Sequence, residues 1–247
     1  MTVGAAFRLV IVVLLAVFLA MPDWFAPLFA PLTRNGQAAI YTQNSLLNLT
    51  LNHLGIVALA TLAGTLVATG LAILVTRPAW REFLPLSRTI ANGGQTFPPV
   101  AVLALAVPIL GFGTAPTLLA LFLYGLLPIF ENAVAGIGAV SAEVQDAALG
   151  TGMTERQKLW QVEFPLALPA ILGGIRLSAA ISMGTATIGS TVAASTLGET
   201  IIAGLINSNL AFVAQGALVV GALAIILNDV FLALERYFSR YTRAQKT

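Results

Sequence analysis

Residues 54–76 read LGIVALATLAGTLVATGLAILVT and contain no charged side chain. A helix that crosses a bilayer needs about 20 predominantly apolar residues, so this stretch is long enough to span a membrane. Comparable stretches recur along the chain, and Gly-Phe-Gly-Thr-Ala-Pro at 111–116 is a turn signal between two of them. We predict six spans, at residues 7–22, 54–76, 89–110, 115–138, 166–190 and 210–234.

The composition supports a membrane protein. Of the 247 residues, 58% are hydrophobic and only 9% are charged, whereas soluble domains carry about 25% charged residues. In lipid every backbone polar group must be satisfied within the structure, which leaves helices or a closed barrel. Barrel strands alternate apolar and polar residues, and the apolar stretches here are unbroken. The predicted fold class is therefore an all-α integral membrane protein.

Several function classes are excluded by the residues that are missing. The chain has no cysteine and a single histidine, His53, which excludes thiolate metal sites, disulfides and a histidine cluster. His53 opens the second predicted span, where we expect an interfacial polar residue. A net charge of +2 gives no indication of nucleic acid. Neither Lys158 nor Lys246 follows a glycine, so no phosphate-binding loop is present, and we expect no cofactor on this chain.

Basic residues predict the orientation, because lysine and arginine concentrate on the cytoplasmic side. With both termini cytoplasmic, nearly all of them lie inside and only Arg34 lies outside. We predict an N-terminal span with an outer loop (1–45), a main membrane domain (46–236) and a cytoplasmic tail (237–247). Residues 1–22 are either a retained helix, which we favour, or a cleaved signal.

The longest internal polar segment is SAEVQDAALGTGMTERQKLWQVEFP, residues 141–165. Ser141 is suited to cap a first short helix, and Glu143 favours the positive end of that helix. Gly150 and Gly152 are expected to end it, since glycine readily takes the left-handed conformation found after helices.

A second short helix follows in the same segment. Thr154 and Gln157 have the spacing of a capping box, and Pro165 is expected to stop the helix before the next span. The segment is thus predicted to be a compact cytoplasmic elbow. From local structure alone, a loop that merely joins two spans is equally consistent.

The spacing within this elbow resembles the "EAA" signature of bacterial ATP-binding-cassette importer permeases. That signature is Glu-Ala-Ala, three residues, Gly, nine residues, Ile, one residue and Leu-Pro, and all anchors fall at the right offsets with Asp146, Val162 and Phe164 as conservative departures. The resemblance implies a type I importer permease fold in which the elbow docks on a cytoplasmic ATPase. The residues implied in coupling are Asp146, Ala147, Ala148, Gly150, Gly152, Met153, Val162 and Pro165.

Residues 45–235 look like osmoprotectant permeases, which import glycine betaine, choline, carnitine or related quaternary amines. The similar segments are QTFPP (95–99), GFGT (111–114), LLPI (126–129) and FPLALPAI (164–171) with GIR (174–176). Two departures concern substrate handling. The family's glycine-rich run is AASTLG here (193–198), and Glu131 stands where these permeases tend to carry a basic residue.

The resemblance implies a transport subunit of the bacterial inner membrane, and not an enzyme. Its partners would be an ABC ATPase that holds ATP-Mg, a second permease subunit (the same or a different chain) and an extracytoplasmic binding protein. The alternatives are a permease for another small solute, such as an amino acid, or a stand-alone secondary transporter. An intramembrane enzyme lacks a credible catalytic arrangement here.

Candidate pathway or gate residues follow from position alone. Charges within spans are costly unless paired, and Glu131 and Arg176 lie at similar depths in neighbouring predicted spans, where they are able to pair with each other. The simpler interpretation of both is structural: an interhelical ion pair, or a side chain that reaches the interface. The candidates are Gln95, Thr96, Phe97, Pro98, Glu131, Arg176 and Gly198.

Overall fold

The computed structural model describes residues 3–34 and 36–243, and within these ranges it contains helices and turns but no strand. The α-helices are α1 (Val3–Ala20), α2 (Ala26–Phe29), α3 (Leu46–Val75), α4 (Leu84–Thr96), α5 (Pro99–Leu110), α6 (Thr114–Gly138), α7 (Ala142–Gly150), α8 (Glu155–Lys158), α9 (Phe164–Thr185), α10 (Gly198–Ile206) and α11 (Leu210–Arg243). A π-helical turn (Leu159–Glu163) and 3₁₀ turns, including Pro78–Phe83 and Ala186–Val192, connect several of them.

Among the described residues, four helical stretches are long and apolar enough to cross a membrane: Leu46–Val75, Thr114–Gly138, Glu155–Val192 and Leu210–Ser239. Two bent pairs, Arg8–Ala20 with Pro22–Leu32 and Pro78–Thr96 with Pro99–Leu110, raise the number to six if each pair is one span. The all-α membrane fold is therefore confirmed, and the predicted number of six spans is reached if each bent pair is one broken span.

The predicted straight span at 89–110 is wrong. α4 ends at Thr96, Phe97 is extended with φ −86° and ψ 140°, and α5 begins only at Pro99. A proline disfavours the helical conformation for the residue before it and offers no backbone N–H. Two consecutive prolines at 98 and 99 therefore break the helix within a stretch that is apolar throughout.

Helix α3 begins eight residues earlier than the predicted span at 54, and this changes the position of His53. The side chain is fully buried, and its Nε2 lies 3.1 Å from the backbone carbonyl oxygen of Met183. The interfacial role predicted for His53 is thus wrong. At the other end of the chain, α11 continues into the predicted tail as far as Arg243, and residues 244–247 lie outside the described part.

The chain forms two compact units, each assembled from three separate stretches. The first consists of Met1–Leu59, Pro98–Leu121 and Ser182–Leu227, and the second of Ala60–Phe97, Phe122–Ile181 and Asn228–Thr247. The second unit contains the whole elbow and most of the candidate coupling and pathway residues. Two candidate pathway residues, Pro98 and Gly198, belong to the first unit.

The core of the second unit relies on small residues that let helices approach closely. Phe130 and Ile129 of α6 are completely buried against Ala68 and Ala72 of α3 and Ala167 of α9. Such small residues are common where membrane helices pack, because dispersion contacts replace the hydrophobic effect there.

Helices α6 and α9 come closest at glycines on both sides. A Cβ atom added to Gly136 would lie 2.8 Å from the Cβ of Ala170, and one added to Gly174 would lie 2.6 Å from the carbonyl oxygen of Pro128. Neither glycine can therefore be enlarged without a shift of one helix. The elbow is thus carried between two helices that are held in tight contact.

In the first unit, a segment without helix at 37–44, here called the strap, is held by the amide side chains of Asn209, just before α11, and Gln215, within α11. Asn209 Nδ2 donates to the carbonyl oxygen of Ala38 at 2.9 Å, and Gln215 Nε2 donates to that of Ala39 at 2.7 Å. The Tyr41 N–H returns a bond to Gln215 Oε1 at 3.1 Å. Buried amides that satisfy backbone groups in this way fix one conformation of the segment.

The AASTLG segment begins in a conformation that suits glycine. Ala193 has φ +63° and ψ +23°, and it follows the 3₁₀ turn Ala186–Val192. A left-handed conformation costs a non-glycine residue roughly 1–2 kcal/mol.

Ala193→Gly is therefore expected to stabilise the protein by up to about 1 kcal/mol, because relief of strain exceeds the added freedom of the unfolded chain. The matched control is Ala194→Gly, since Ala194 is buried without a positive φ and its replacement should destabilise by at least about 0.5–1 kcal/mol. Thermal unfolding of the purified protein in detergent measures both. Equal destabilisation by the two changes would contradict the expectation.

Candidate functional site

The first helix of the elbow, α7, begins as predicted, with a different role for its capping residue. Ser141 has the extended conformation of an N-cap (φ −64°, ψ 153°), but its side chain accepts no bond from the helix. A hydrogen bond from Ser141 instead lowers the pKa of Glu143, with a further contribution from the Glu143 backbone N–H. Glu143 is thus held as an exposed carboxylate in the first turn, where the helix dipole favours negative charge.

The bend after α7 is a complete Schellman motif. Gly152 has φ +87°, its N–H donates to the carbonyl oxygen of Leu149 at 2.9 Å, and the Met153 N–H reaches that of Ala148 at 3.3 Å. This pair of bonds satisfies carbonyl groups at the helix end that otherwise lack partners. The predicted glycine-dependent end of the first elbow helix is therefore confirmed, with Gly152 as the left-handed residue.

The second helix, α8, starts at the predicted capping box. The Gln157 N–H donates to Thr154 Oγ1 at 3.3 Å, and the Thr154 N–H donates to Gln157 Oε1 at 2.9 Å. The predicted stop at Pro165 is wrong, since helix continues through it into α9. The π-helical turn Leu159–Glu163 precedes the proline, and the Phe164 N–H bonds to Leu159. The wider turn accommodates a residue that cannot donate a normal helical bond.

The signature residues divide into an exposed and a packed set. Asp146, Ala147, Gly150, Gly152 and Pro165 are exposed, Met153 and Val162 are half-buried, and Ala148 is buried. Ala148 therefore holds α7 against the rest of the unit, while the residues on either side of it remain open to a partner.

Two apolar residues on α7 that we did not single out from the sequence are also exposed. Val144 is 38% exposed and Leu149 is 40% exposed. Together with Ala147 and the carboxylates of Glu143 and Asp146, they give α7 an apolar and acidic outer surface. The sequence did contain a signal for them, because both are apolar residues on a largely polar helix next to the signature residues.

A buried ion cluster fixes the elbow to the end of α3, and the sequence reading missed it. Glu163 is 2% exposed. One carboxylate oxygen lies 2.5 Å from Arg77 Nη2 and the other lies 3.5 Å from Lys158 Nζ. Lys158 also contacts the exposed Glu155 at 2.9 Å. A single acidic residue between Val162 and the apolar stretch at 164–175 indicated a special position. Its partner Arg77, just after α3, could not be inferred from the sequence.

The candidate residues at the α4–α5 break are joined by Tyr124 of α6. Gln95 Nε2 donates to the Tyr124 carbonyl oxygen at 2.8 Å, and the Tyr124 hydroxyl donates to the carbonyl oxygen of Phe97. Thr96 bonds within its own helix, to Asn92. The Phe97 ring is 56% exposed, so the break presents an aromatic side chain on a fixed backbone.

The charged candidates are paired, but not with each other as we predicted. Arg88 makes a bidentate pair with Glu131, at 2.6 Å and 2.9 Å. Arg176 contacts Glu235 at 2.7 Å and the amide oxygen of Asn228 at 3.2 Å. Both pairs join different helices of the second unit, which is the structural interpretation that the sequence offered for such charges.

Gly198 lies at the start of α10 in the first unit, where it is buried against the backbone of Thr187. The next residue, Glu199, accepts a hydrogen bond from the Tyr41 hydroxyl at 2.8 Å. Burial raises the pKa of Tyr41, and the neighbouring Glu199 carboxylate raises it further. The Tyr41 hydroxyl thus stays protonated and donates the hydrogen bond that joins the strap to Glu199 of α10.

Among the described residues, no group of histidine, aspartate and glutamate side chains could hold a metal ion. The geometry is that of a helical membrane protein with a surface elbow. Its clusters of charge are used to connect helices.

The architecture is that of a helical membrane protein, and a family comparison shows its class. Residues 64–244 match the family described as "Binding-protein-dependent transport system inner membrane component", and the chain belongs to that family. It is therefore a multi-pass inner-membrane subunit of an ATP-driven transporter whose ATPase is a separate chain.

Curated relatives are similar over most of the chain. The osmoprotectant import permease protein OsmY of Salmonella typhimurium is 40% identical over 200 residues, which cover 81% of this chain and 85% of OsmY. The choline transport system permease protein OpuBB of Bacillus subtilis is 37% identical over 191 residues, which cover 77% and 87%.

Solved structures agree on the fold. An inward-facing form of the MetNI methionine ABC transporter superposes with a TM-score of 0.70 at 19% identity, covering 78% of this chain and 95% of that one. An amino acid ABC transporter gives a TM-score of 0.61 at 19% identity, covering 91% and 98%. At such identity the likeness shows the permease fold alone, and the predicted type I importer fold is confirmed by it.

Proposed function

We propose that this chain is the permease subunit of an importer for a quaternary-amine compatible solute such as glycine betaine, choline or carnitine. The relatives named above support the solute class, because they are named for osmoprotectant and choline transport. The likeness to methionine and amino acid transporters concerns the fold, so the alternative of an amino acid substrate gains no specific support.

The elbow carries the mechanistic part of the proposal. Its α7 helix is closed by the Gly152 bend, and it exposes Val144, Ala147 and Leu149 together with the carboxylates of Glu143 and Asp146. A short rigid helix with an apolar face can fill a groove on a partner, while the acidic groups select a basic rim. We assign this surface to the groove of a cytoplasmic ATPase, which binds ATP-Mg in place of this chain.

The remaining partners and the orientation complete the proposal. A second permease subunit, either a copy of this chain or a different one, encloses the pathway, and an extracytoplasmic binding protein delivers the solute. Both termini are cytoplasmic, because Arg77, Arg81, Arg156 and Lys158 then share the elbow's side and Arg34 lies opposite. ATP binding draws the two elbows together and opens the pathway outward, and hydrolysis resets it.

A stand-alone secondary transporter would need a titratable group in a span that is available for coupling. Glu131 of α6 and Asp229 of α11 are the candidates for this role, and Glu131 is occupied by the bidentate Arg88. The proposed pathway role of Glu131, Arg176, Gly198 and the 95–98 segment rests on their positions in the chain. In this proposal they line or support the solute pathway and do not form a tight binding site.

Leu149→Arg is expected to weaken capture of the ATPase at least thirtyfold. A buried charge in the centre of an interface costs about 2 kcal/mol or more, and Leu149 is 40% exposed, so the elbow itself should stay folded. Co-purification of the ATPase with tagged permease from membranes measures it. Leu149→Met, which keeps the apolar volume, is the control. Equal recovery of the ATPase with both variants would contradict the docking surface.

The solute class is tested separately, with the assembled transporter in proteoliposomes. Uptake driven by ATP is measured for labelled glycine betaine, choline, carnitine and methionine in the presence of the binding protein. Uptake of the quaternary amines without methionine supports the proposal, and the reverse order replaces it with the amino acid alternative.

A further inference from the structure

Glu163 occupies an unusual position for a carboxylate. It is 2% exposed at the end of the π-helical turn, and its two oxygens face different basic groups: Arg77, just after α3, and Lys158 in the elbow. An unpaired buried charge is costly, so Glu163 depends on its basic neighbours to remain ionised in the interior. The cluster therefore keeps three separate backbone positions at fixed distances from one another.

Besides its covalent link to α6 through residues 139–141, the elbow is connected to the spans in two ways. Its second helix is continuous with α9 through the π-helical turn, since the Phe164 N–H bonds to Leu159. The second connection is Glu163 with Arg77, because Arg77 follows the last turn of α3. Without the ion pair, a displaced elbow would act directly on α6 and α9, to which the chain joins it, and not on α3.

We propose that Glu163 is a positioning residue that joins the elbow to α3, so that movement of the elbow reaches α3 as well as α9. The inference rests on the proposed function, in which an ATPase moves the elbow. Glu163 touches neither solute nor nucleotide. Its effect is on coupling, which is measured as the number of solute molecules imported per ATP hydrolysed.

The first test replaces Glu163 by glutamine in the complete transporter, reconstituted in proteoliposomes. Glutamine keeps the shape and removes the charge that holds Arg77 and Lys158. We expect the number of solute molecules imported per ATP to fall at least tenfold, while ATPase recovery and hydrolysis stay within about threefold of wild type. Glu155→Gln is the matched control, because it also removes a carboxylate from Lys158 at 2.9 Å but from an exposed position; its ratio should not change.

The second test restores the connection covalently. The chain contains no cysteine, so the double variant Arg77→Cys with Glu163→Cys introduces the permease's only two thiols. Before bridging, this variant should have the low ratio of Glu163→Gln. A short thiol-specific linker should restore the ratio to at least half of the wild-type value, and a reductant that cleaves the linker should lower it again.

The outcomes separate the possible failures. A purely structural Glu163 would lower the amount of complex, hydrolysis and uptake together without changing the ratio, and this result would overturn the inference. A bridged double variant with a ratio that stays low would also overturn the inference. This test remains valid even if Glu163→Gln does not fold. If wild-type permease brings down no ATPase at all, the proposed function fails first.

Discussion

Gly198→Ala is expected to abolish accumulation of folded protein. A Cβ atom at this position would overlap the carbonyl oxygen of Thr187 and lie 2.6 Å from its carbonyl carbon. The obstacle is backbone, so no rotamer change relieves it, and α10 must separate from the turn Ala186–Val192. Overpacking of this kind costs about 1–3 kcal/mol and more when backbone must move, which is a large share of the stability of a typical domain.

Gly221→Ala is the control for this change. Gly221 lies within α11, and a Cβ there meets nothing within 4 Å, so alanine should stabilise the helix by about 0.5–1 kcal/mol. Monodisperse yield after detergent extraction and thermal unfolding measure both variants. Recovery of Gly198→Ala at wild-type yield would show that the contact between α10 and Thr187 is not required.

Gly152→Val is expected to eliminate ATPase binding while the spans remain folded. The φ of +87° at this position is unfavourable for a β-branched residue, at a cost of order 1–3 kcal/mol. The two backbone hydrogen bonds that end α7, from Gly152 and Met153, depend on that conformation. We expect the C-terminal end of α7 to unwind in the valine variant, which displaces the exposed Leu149. We expect recovery of the ATPase with tagged permease to fall at least tenfold.

Asparagine tolerates positive φ better than other non-glycine residues, so Gly152→Asn should retain most of the binding. Monodispersity of the free permease, followed by size-exclusion chromatography, shows whether the spans are intact in both variants. Full ATPase recovery with valine would mean that the bend is not part of the docking surface.

The elbow was predicted in detail because its signals are local. The Thr154–Gln157 capping box and the Gly152 bend join residues three to five positions apart, and such bonds are encoded by the nearest neighbours in the chain. The break at Phe97 was equally local. There the apolar pattern was given more weight than the two prolines, and the helix rules would have been the better guide.

Contacts between distant segments could not be predicted. Glu131 and Arg176 have similar depths in neighbouring spans, yet their partners are Arg88 and Glu235. Depth along a helix follows from sequence, whereas the direction of each side chain around the helix depends on packing. His53 shows the same limit, because an early start of α3 moved it from a surface to the interior.

The pairing of Glu163 with Arg77 also imposes an order on biosynthesis. The arginine is made roughly 90 residues before the carboxylate, which at about 5–20 residues per second is an interval of roughly 5–20 seconds. Throughout that interval Arg77 exists without the carboxylate with which it pairs in the folded chain. When Glu163 is made, its counter-charge is already present, whereas the arginine must wait for its partner.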